Sequence, residues 1–558
     1  MSPCPRIVCL LVGLALAAWS QQPPPGPAPD LAALPGLGPE HSLRPLETVE
    51  DPGGAGHVRY QQYYRGVRVW GGQLISHRDG TGAPEPVTDA LVRDIALEVT
   101  PNLAPAEALA VAHDREAPSG AYARPPTAEL VVYSEQVLEP RPLLTATGDA
   151  EDYQVKVVRH RLVYHLRLAL ENGAQETRHD DYLVDAHTGA VLRSWSSLLT
   201  LRPHKPGNRA VTTTGRSQYS GEVSLGSMLT DCGYVLSDPT RAHNSTRNLG
   251  GRLDGKGSLF NSAEPSWGDG ENYDSGRSWT SLNGQTAAVD AHYGLQTTWD
   301  FYKNILGRNG IDGKGRSATN LVHYAHHFDN AFWDDDCFCM TYGDGSSFKT
   351  LTAIDVVGHE VSHGLCSATA DLEYIGESGG LNEASSDIFG TMIKCYSRGA
   401  KAKGPKVPAE GAVWSIGEDL QTPDFPHPIR YMDKPSRDGF SPDAWSPALE
   451  DLNVHFASGP MNRAFYFLSQ GASADPKSDA YSKYLPKGMK GIGNDKALRI
   501  WWRTLSTRLT PTSRYLDARR GAIQSAKEIY GKHSIPVLAV RQAFRGIHVG
   551  DCPAPKAE

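Results

Sequence analysis

Gly358-His359-Glu360-Val361-Ser362-His363-Gly364, followed twenty residues past His363 by Glu383 in Asn382-Glu383-Ala384-Ser385-Ser386-Asp387, is the stretch from which the rest of the chain is read. A helix turns about 100° per residue, so His359 and His363 stack on one face. Two imidazoles in that arrangement hold one zinc ion, with Glu360 beside them as a general base. Ile354, Val356, Val357, Val361 and Leu365 surround the histidines with apolar surface, which marks the helix as packed rather than solvated. A third ligand has to come from elsewhere, and Glu383, on a following helix, is placed to supply it. Three protein ligands leave the fourth tetrahedral position open, which separates a catalytic zinc from a structural one. Asp387 lies four residues beyond Glu383 on the same face, where it can accept the spare N–H of a ligating histidine. A third histidine ligand six residues after His363, with Gly three residues after it, is excluded because Thr369 and Cys366 stand there.

Taken with Glu377-Ser378-Gly379-Gly380-Leu381 and the run on to Gly390, these segments resemble the active-site helices of the thermolysin-like metallopeptidases. Asn330-Ala331-Phe332-Trp333, with Tyr342-Gly343-Asp344-Gly345 after it, is similar to the family's substrate-binding edge strand. Ala288-Val289-Asp290-Ala291-His292-Tyr293 resembles a helix start, and Val454-His455-Phe456-Ala457-Ser458-Gly459 the segment with the transition-state histidine. The likeness runs from about His57 to near Val549. It implies an α+β fold, in which a β-rich N-terminal lobe and an α-helical C-terminal lobe meet at the zinc helix, preceded by an α+β propeptide. It implies peptide-bond hydrolysis, with one catalytic Zn2+ on His359, His363 and Glu383, Glu360 as base, and Tyr374 and His455 as donors to the oxyanion. Asn330 and the Ala331 carbonyl would hydrogen-bond an extended peptide, and Arg430 a substrate carbonyl. Val356 and Ile429 would line an apolar pocket for the residue after the cleaved bond. Glu450 or Asp451 would hold His455; the local Glu-Asp-Leu-Asn run departs from the family's acidic-Gly-Gly pattern. His323, His326 and His327 are expected on strand surface near the cleft, without a role.

The family often carries a double Ca2+ site beside the zinc helices, and the resemblance places two of its ligands at Asp355 and Glu418. Lys394 stands where its bridging glutamate belongs, and Val413 and Ser415 occupy further ligand positions. Calcium takes about six to eight oxygens, and an ammonium cannot be one. The expectation is a degraded site in which Lys394 replaces the ion and pairs with Asp355 and Glu418, with disulfides supplying part of the missing stability. Asp269-Gly270-Glu271 is a weaker calcium candidate and reads as a plain turn.

The chain has 558 residues, too many for one core. Its 39% hydrophobic and 21% charged residues are those of a soluble globular protein, and a net charge of −8 favours neither nucleic acid nor an anionic membrane. Arg6, the apolar run Ile7 to Trp19 and the small residues Ala18 and Ser20 read as an export signal over 1–20, too short to serve as a membrane anchor. Six cysteines remain beyond it, enough for three disulfides; Cys337-Phe338-Cys339 has the wrong spacing for a second zinc site. Residues 21–205 are expected to form the propeptide. A Pro-rich start leads into a module at about 45–95, where His57 to Gly80 reads as two strands around Gly66 and resembles the fungalysin/thermolysin propeptide. A second strand-rich prodomain covers about 100–200, through Tyr153, Val163 to Leu170 and Tyr182 to Gly189. Leu201 to Arg209 suits a processing linker. The catalytic part divides into 206–365, β-rich with the zinc helix, and 366–558, where Leu498 to Leu505 and Asp517 to Tyr530 have helical spacing and Gly531 is a stop.

The whole reads as a secreted zymogen acting on proteins or peptides, its own propeptide serving as folding aid and intramolecular inhibitor, the mature form a monomer. A secreted binding protein that keeps the fold without turnover is the competing reading. It would be favoured by loss of Glu360, a zinc ligand or His455, and all are present.

Overall fold

Strand His41–Glu50 (β1) pairs with Gly56–Tyr64 (β2), and β2 with Val67–Arg78 (β3), in a computed structural model that describes residues 37–50, 54–122, 124–141, 149–170, 178–196, 209–399 and 404–550. Residues 1–20, the linker up to residue 208 and Cys552 lie outside the described residues. Arg65 and Gly66, at φ of 45° and 82°, make the two-residue turn between β2 and β3, the pairing of positive φ values that a tight hairpin needs. Pro84–Ala90 (β4), helix Pro105–Glu116 (α1), Thr127–Pro140 (β5), Tyr153–Leu170 (β6), Arg178–Asp185 (β7) and Val191–Ser196 (β8) complete the N-terminal region. The strands form one sheet in the order β1-β2-β3-β5-β6-β7-β8, with β4 beside β3. The two modules expected from the sequence therefore share a sheet, joined where Arg68 and Val69 of β3 run parallel to Val131 and Val132 of β5.

The next lobe opens with Arg209–Ser217 (β9), Gly221–Thr230 (β10), Gly233–Val235 (β11), Ser237–Asp238 (β12) and Asn244–Asn248 (β13). Ser258–Leu259 (β14), Asn261–Ser262 (β15) and Ser266–Trp267 (β16) follow. Helix Leu282–Phe301 (α2) then interrupts the strands, starting where the Ser281 hydroxyl accepts the Gly284 N–H at 3.2 Å. Ala288 to Tyr293, expected to begin a helix, thus lies in the middle of one. The helix is buried nearly all round, with Asp290, His292 and Thr298 enclosed alongside Ala288, Val289, Leu295 and Trp299, so no single apolar stripe marks its period. Thr319–Tyr324 (β17), Ala331–Asp334 (β18) and Cys339–Gly343 (β19) finish a second sheet, ordered β12-β13-β17-β19-β18 with β14 beside β13. β18 is its edge strand, antiparallel to β19.

Helices Ile354–Ser367 (α3) and Gly376–Arg398 (α4) join this lobe to a helical one made of Val454–Ala457 (α5), Gly459–Gln470 (α6), Asn494–Arg508 (α7), Tyr515–Tyr530 (α8) and Ile535–Gly546 (α9). Gly531, at φ 88°, ends α8 as its sequence position suggests. α4 is buried from Gly376 to Tyr396, and the small side chains of Gly379, Gly380, Ala384, Ser385 and Ser386 make that possible. At Gly358 and Gly390, α3 and α4 approach backbone to backbone. A Cβ on Gly390 would stand 2.5 Å from the Asp355 carbonyl oxygen, and one on Gly358 would stand 3.1 Å from Gly390 Cα. One hydrophobic core runs through both lobes, from Val223 to Val549.

The N-terminal region touches both lobes. Both Nη atoms of Arg59 donate to the Leu509 carbonyl at 3.1 Å, and the Asp149 carboxylate accepts the Gly550 N–H at 2.8 Å. Arg124 pairs with Asp336, just past β18, and Tyr153 meets Trp445 edge-on at 5.5 Å. No helix among the described residues is long and apolar enough to cross a membrane.

The cysteines differ from expectation. Among the described residues one disulfide forms, Cys337–Cys339, while Cys232 is an exposed free thiol and Cys366 and Cys395 are buried ones. Cys366 lies on α3 and Cys395 on α4, each packed in the apolar interior as a small hydrophobe. A bond spanning one intervening residue removes little chain entropy, so the described disulfide adds little to stability.

Because a methyl group has no room at the α3–α4 crossing, Gly390→Ala is expected to destabilise the folded chain by about 1–3 kcal/mol. A thermal melt reads this directly; an unchanged midpoint would show that the helices can part without cost.

Candidate active site

α3 carries His359 and His363 one turn apart, their Nε2 atoms 3.1 Å from each other. The close crossing of α4 brings Glu383 to the same point, with Oε2 3.6 Å from His359 Nε2 and Oε1 3.4 Å from His363 Nε2. Tetrahedral zinc with ligand bonds of about 2.0–2.1 Å sets its ligand atoms about 3.3–3.4 Å apart. The observed spacings match that demand, and the N2O donor set suits zinc. Glu383 is fully buried, and among the described residues its Oε2 has no hydrogen-bond partner, with Arg430 Nη2 at 3.6 Å, so a cation would complete its surroundings.

Each imidazole is fixed from behind. His359 Nδ1–H donates to Asp387 Oδ1 at 2.8 Å, and His363 Nδ1–H to Asn382 Oδ1 at 2.8 Å, so both Nε2 atoms are turned to Glu383. Asp387 is held in turn by Arg430, whose Nε and Nη2 donate at 2.9 and 2.6 Å, and by Asn462 Nδ2 at 2.8 Å. Sequence reasoning placed Arg430 against substrate; the structure gives it this bidentate grip on Asp387 as well. Asn382 and Asn462 were missed. Asn382 stands directly before the ligand Glu383, and that adjacency was the available clue.

Burial works against charge on Glu383, but the imidazoles of His455, His359 and His363 outweigh it and hold its pKa at about 2. For Asp387 the burial penalty is overcome chiefly by Arg430, and its pKa lies well below the usual carboxylate range. Glu360, buried beside them, has a pKa raised by desolvation, with the two zinc-site histidines pulling the other way. That is the direction a general base needs.

Tyr374 O–H donates to Glu383 Oε1, and its oxygen lies 3.4 Å from His455 Nε2. His455 Nε2 is itself 3.6 Å from Glu383 Oε1. Neither Glu450 nor Asp451 orients His455. Asn453 Oδ1 accepts its Nδ1–H at 2.9 Å, while Glu450 is bonded to Arg514. The cause is local: Asn453 caps α5 by accepting the His455 backbone N–H at 3.0 Å, and the same oxygen reaches the ring.

Asn330 is exposed at the start of edge strand β18, its Oδ1 accepting the Ala331 N–H at 3.0 Å. Val356 is buried on α3, and Ile429 is half-buried beside Arg430. His323 is not strand surface. It is fully buried, with Nδ1 2.6 Å from Asp344 Oδ1 and Nε2 2.8 Å from the Gly284 carbonyl, and only His326 and His327 are exposed. The sulfurs of Cys337 and Cys339 are bonded to each other, with an oxygen of the Asp334 carboxylate within 4.8 Å of them. Asp269 accepts from the Glu271 N–H at 3.0 Å and the Thr286 hydroxyl at 2.8 Å, as a turn residue does.

Lys394 Nζ, 2% exposed, lies 3.1 Å from Asp355 Oδ2, 2.6 Å from Glu418 Oε1 and 2.7 Å from Asp419 Oδ2. Asp419 was not anticipated. Desolvation opposes the ammonium, but the three carboxylates outweigh it and raise its pKa.

Known proteins share this pattern. The thermolysin metallopeptidase catalytic domain matches residues 212–367, its α-helical domain residues 370–549, and the fungalysin/thermolysin propeptide motif residues 41–90. The chain is 36% identical over 521 residues to the transglutaminase-activating metalloprotease of Streptomyces mobaraensis, across 92% of this chain and 62% of that one, so it spans under two thirds of that relative. It is 31% identical over 515 residues to thermolysin of Alicyclobacillus acidocaldarius subsp. acidocaldarius, across 88% of this chain and 83% of that relative. Among solved structures, the precursor of protealysin from Serratia proteamaculans aligns at a TM-score of 0.40 and 26% identity, covering 55% of this chain and 87% of that one.

If Asn382 sets the His363 ring, Asn382→Ala should weaken zinc binding by about 10–100-fold. Competition against a fluorescent chelator measures it, and wild-type affinity in the variant would remove Asn382 from the site.

Proposed function

This chain belongs to the thermolysin family of zinc metallopeptidases, and on that premise we propose that it is an endopeptidase, made as a precursor, whose residues divide the work of hydrolysis as follows. Zinc, when bound to His359, His363 and Glu383, supplies a Lewis acid that brings the pKa of water near neutrality. Glu360 takes the proton of the attacking water and hands it to the leaving amine. Tyr374 O–H and, once the His455 ring carries a proton on both nitrogens, His455 Nε2–H, both next to the Glu383 carboxylate, donate to the oxyanion. Asn453 keeps the His455 ring turned so that Nε2 faces the reaction. The single observation that carries the reading is the convergence of two imidazole nitrogens and a buried carboxylate at 3.1–3.6 Å.

Substrate binds as a strand added to β18, with Asn330 and the Ala331 carbonyl as its partners. Val356 and Ile429 select an apolar residue after the cleaved bond. Arg430 orients Asp387 with Nε and Nη2, and serves a substrate carbonyl with what remains of its guanidinium. The chain divides into an export signal over 1–20, a propeptide over 21–205 and catalytic lobes over 206–365 and 366–558. The processed enzyme acts outside the cell as a monomer.

Lys394 takes the place of a structural calcium. Its ammonium offsets part of the repulsion among Asp355, Glu418 and Asp419, and Arg398 adds a second positive charge beside Glu418 and Asp419. Burial, then the neighbouring Asp355, still pushes Glu418 up to about 7.

Casein hydrolysis by the processed chain should stop on zinc chelation, return with added zinc, and fall by about 10²–10⁴-fold in Glu360→Ala. Activity retained through either treatment would refute the mechanism. Lys394→Met is expected to cost about 3–5 kcal/mol of stability, recovered in part by millimolar calcium, whereas the wild-type melt is indifferent to calcium. A wild-type chain that needs calcium would overturn the replacement.

A further inference from the structure

A cavity of about 260 Å³ opens beside the start of β18 and has no part in the chemistry above. Tyr273, Trp279 and Phe348 give it aromatic walls, and His326 and His327 line its rim. Its lining includes no lysine or arginine. Asp344 also borders it, but that carboxylate is already bonded to His323.

The loop that carries the two histidines is held in an unfavourable backbone. His323, Ala325 and His327 have φ of 60°, 57° and 58°, a left-handed conformation disfavoured for any residue with a Cβ. Such strain persists only where the surroundings over-determine it, and it clusters at ligand sites. Here the buried His323, bonded at both ring nitrogens, is the anchor. The alternation turns His323 into the core and leaves His326 and His327 exposed, with the His326 ring tilted against Trp279 at 5.7 Å.

The same segment leads directly to the substrate strand. Asp329 accepts the backbone N–H groups of Ser346, Ser347 and Phe348 at 2.6, 3.0 and 3.1 Å, which ties the cavity wall to the residue before Asn330. The loop lining the cavity through His326 and His327 thus runs on, through Asp329, into Asn330 and the edge of β18. Resting on the reading that an extended peptide adds to β18, we propose that this cavity is an outlying subsite for an aromatic side chain of that peptide. Along an extended chain every second side chain points to the same face, so a residue beyond the Asn330 contact can turn its ring into the space. The ring stacks on Trp279 and Tyr273, and an indole N–H or phenol O–H finds an imidazole of His326 or His327. The absence of cations from the lining gives an acidic side chain no comparable partner.

The test uses the processed, zinc-loaded enzyme and two sets of quenched-fluorescence peptides. One set is short about the cleaved bond; the other is extended on both sides, with Trp or Ala moved through each outlying position. Trp at one outlying position should raise kcat/KM about tenfold over Ala, mainly through KM. Trp279→Ala should abolish that gain while cutting the short peptides at the wild-type rate. A flat positional scan, or a gain that survives in Trp279→Ala, overturns the subsite. Should Trp279→Ala lose the short peptides too, the double variant His326→Ala/His327→Ala decides, since both rings are exposed: a shrunken gain supports the subsite and an unaltered one overturns it. Short peptides left uncut by the wild-type enzyme would sink the peptidase reading, and the subsite with it.

Discussion

The contact on which the rest depends is the meeting of α3 and α4 at Gly358 and Gly390. Helix axes ordinarily stay about 8–10 Å apart, held off by the side chains between them. Here the two backbones come closer than that beside the point where two nitrogens from one helix and an oxygen from the other gather within 3.6 Å. Glycine at the crossing removes the obstacle. The same demand shapes the rest of α4, whose small residues let neighbours close around a helix buried along most of its length. Hydroxyls introduced that way must be satisfied without water. Ser385 Oγ donates to the Leu381 carbonyl at 2.7 Å, and Ser362 Oγ on α3 to the Gly358 carbonyl at 2.6 Å.

Close packing then concentrates charge. Glu383, Asp387, Asp355 and Lys394 are at most 2% exposed, and Arg430 is nearly as enclosed. Buried ion pairs of this kind are often no better for stability than apolar residues of the same size. Their value here is geometric. The chain from Arg430 through Asp387 to His359 fixes a ring orientation that a lone imidazole would not hold. Further along α4, Lys394 stands among three carboxylates, so one helix bears both Glu383 and a buried cation. Displacing α4 disturbs both.

Much of this was legible in the sequence because the relevant interactions are short in sequence or periodic. The spacing of His359 and His363 places both rings, and the alternation around Gly66 yields β2 and β3. The helical period from Asp517 yields α8. What escaped notice depends on contacts that no period records. α2 is buried nearly all round, so it has no single apolar stripe to read. Asn453 was overlooked because charge, rather than a cap that also reaches the ring, was sought as the partner of His455. Asp419 joins Lys394 only because a short helical turn follows Gly417. The cysteines mislead for a related reason: an even count says nothing of distance, and Cys366 and Cys395 are packing residues.

The contacts of the N-terminal region supply the final constraint. A surface that bound one lobe alone would leave the junction between the lobes free to open. Instead Arg59 reaches Leu509 and Asp149 reaches Gly550 in the helical lobe, while Arg124 reaches Asp336 beside the edge strand of the other. Any ligand that binds the closed arrangement and not the unfolded chain stabilises it by mass action. Bridging the lobes therefore favours the same α3–α4 crossing that brings His359, His363 and Glu383 together. Arg59 shows the cost of undoing those contacts. Burial lowers its pKa, and its guanidinium is satisfied by the Leu509 carbonyl and Gln73 Oε1. Removing the N-terminal region exposes that carbonyl to water and leaves α7 without the donor capping its end. Without it, the crossing is held by the close packing at the glycines together with the His359–Asp387 and His363–Asn382 hydrogen bonds and the Lys394–Asp355 ion pair between α3 and α4.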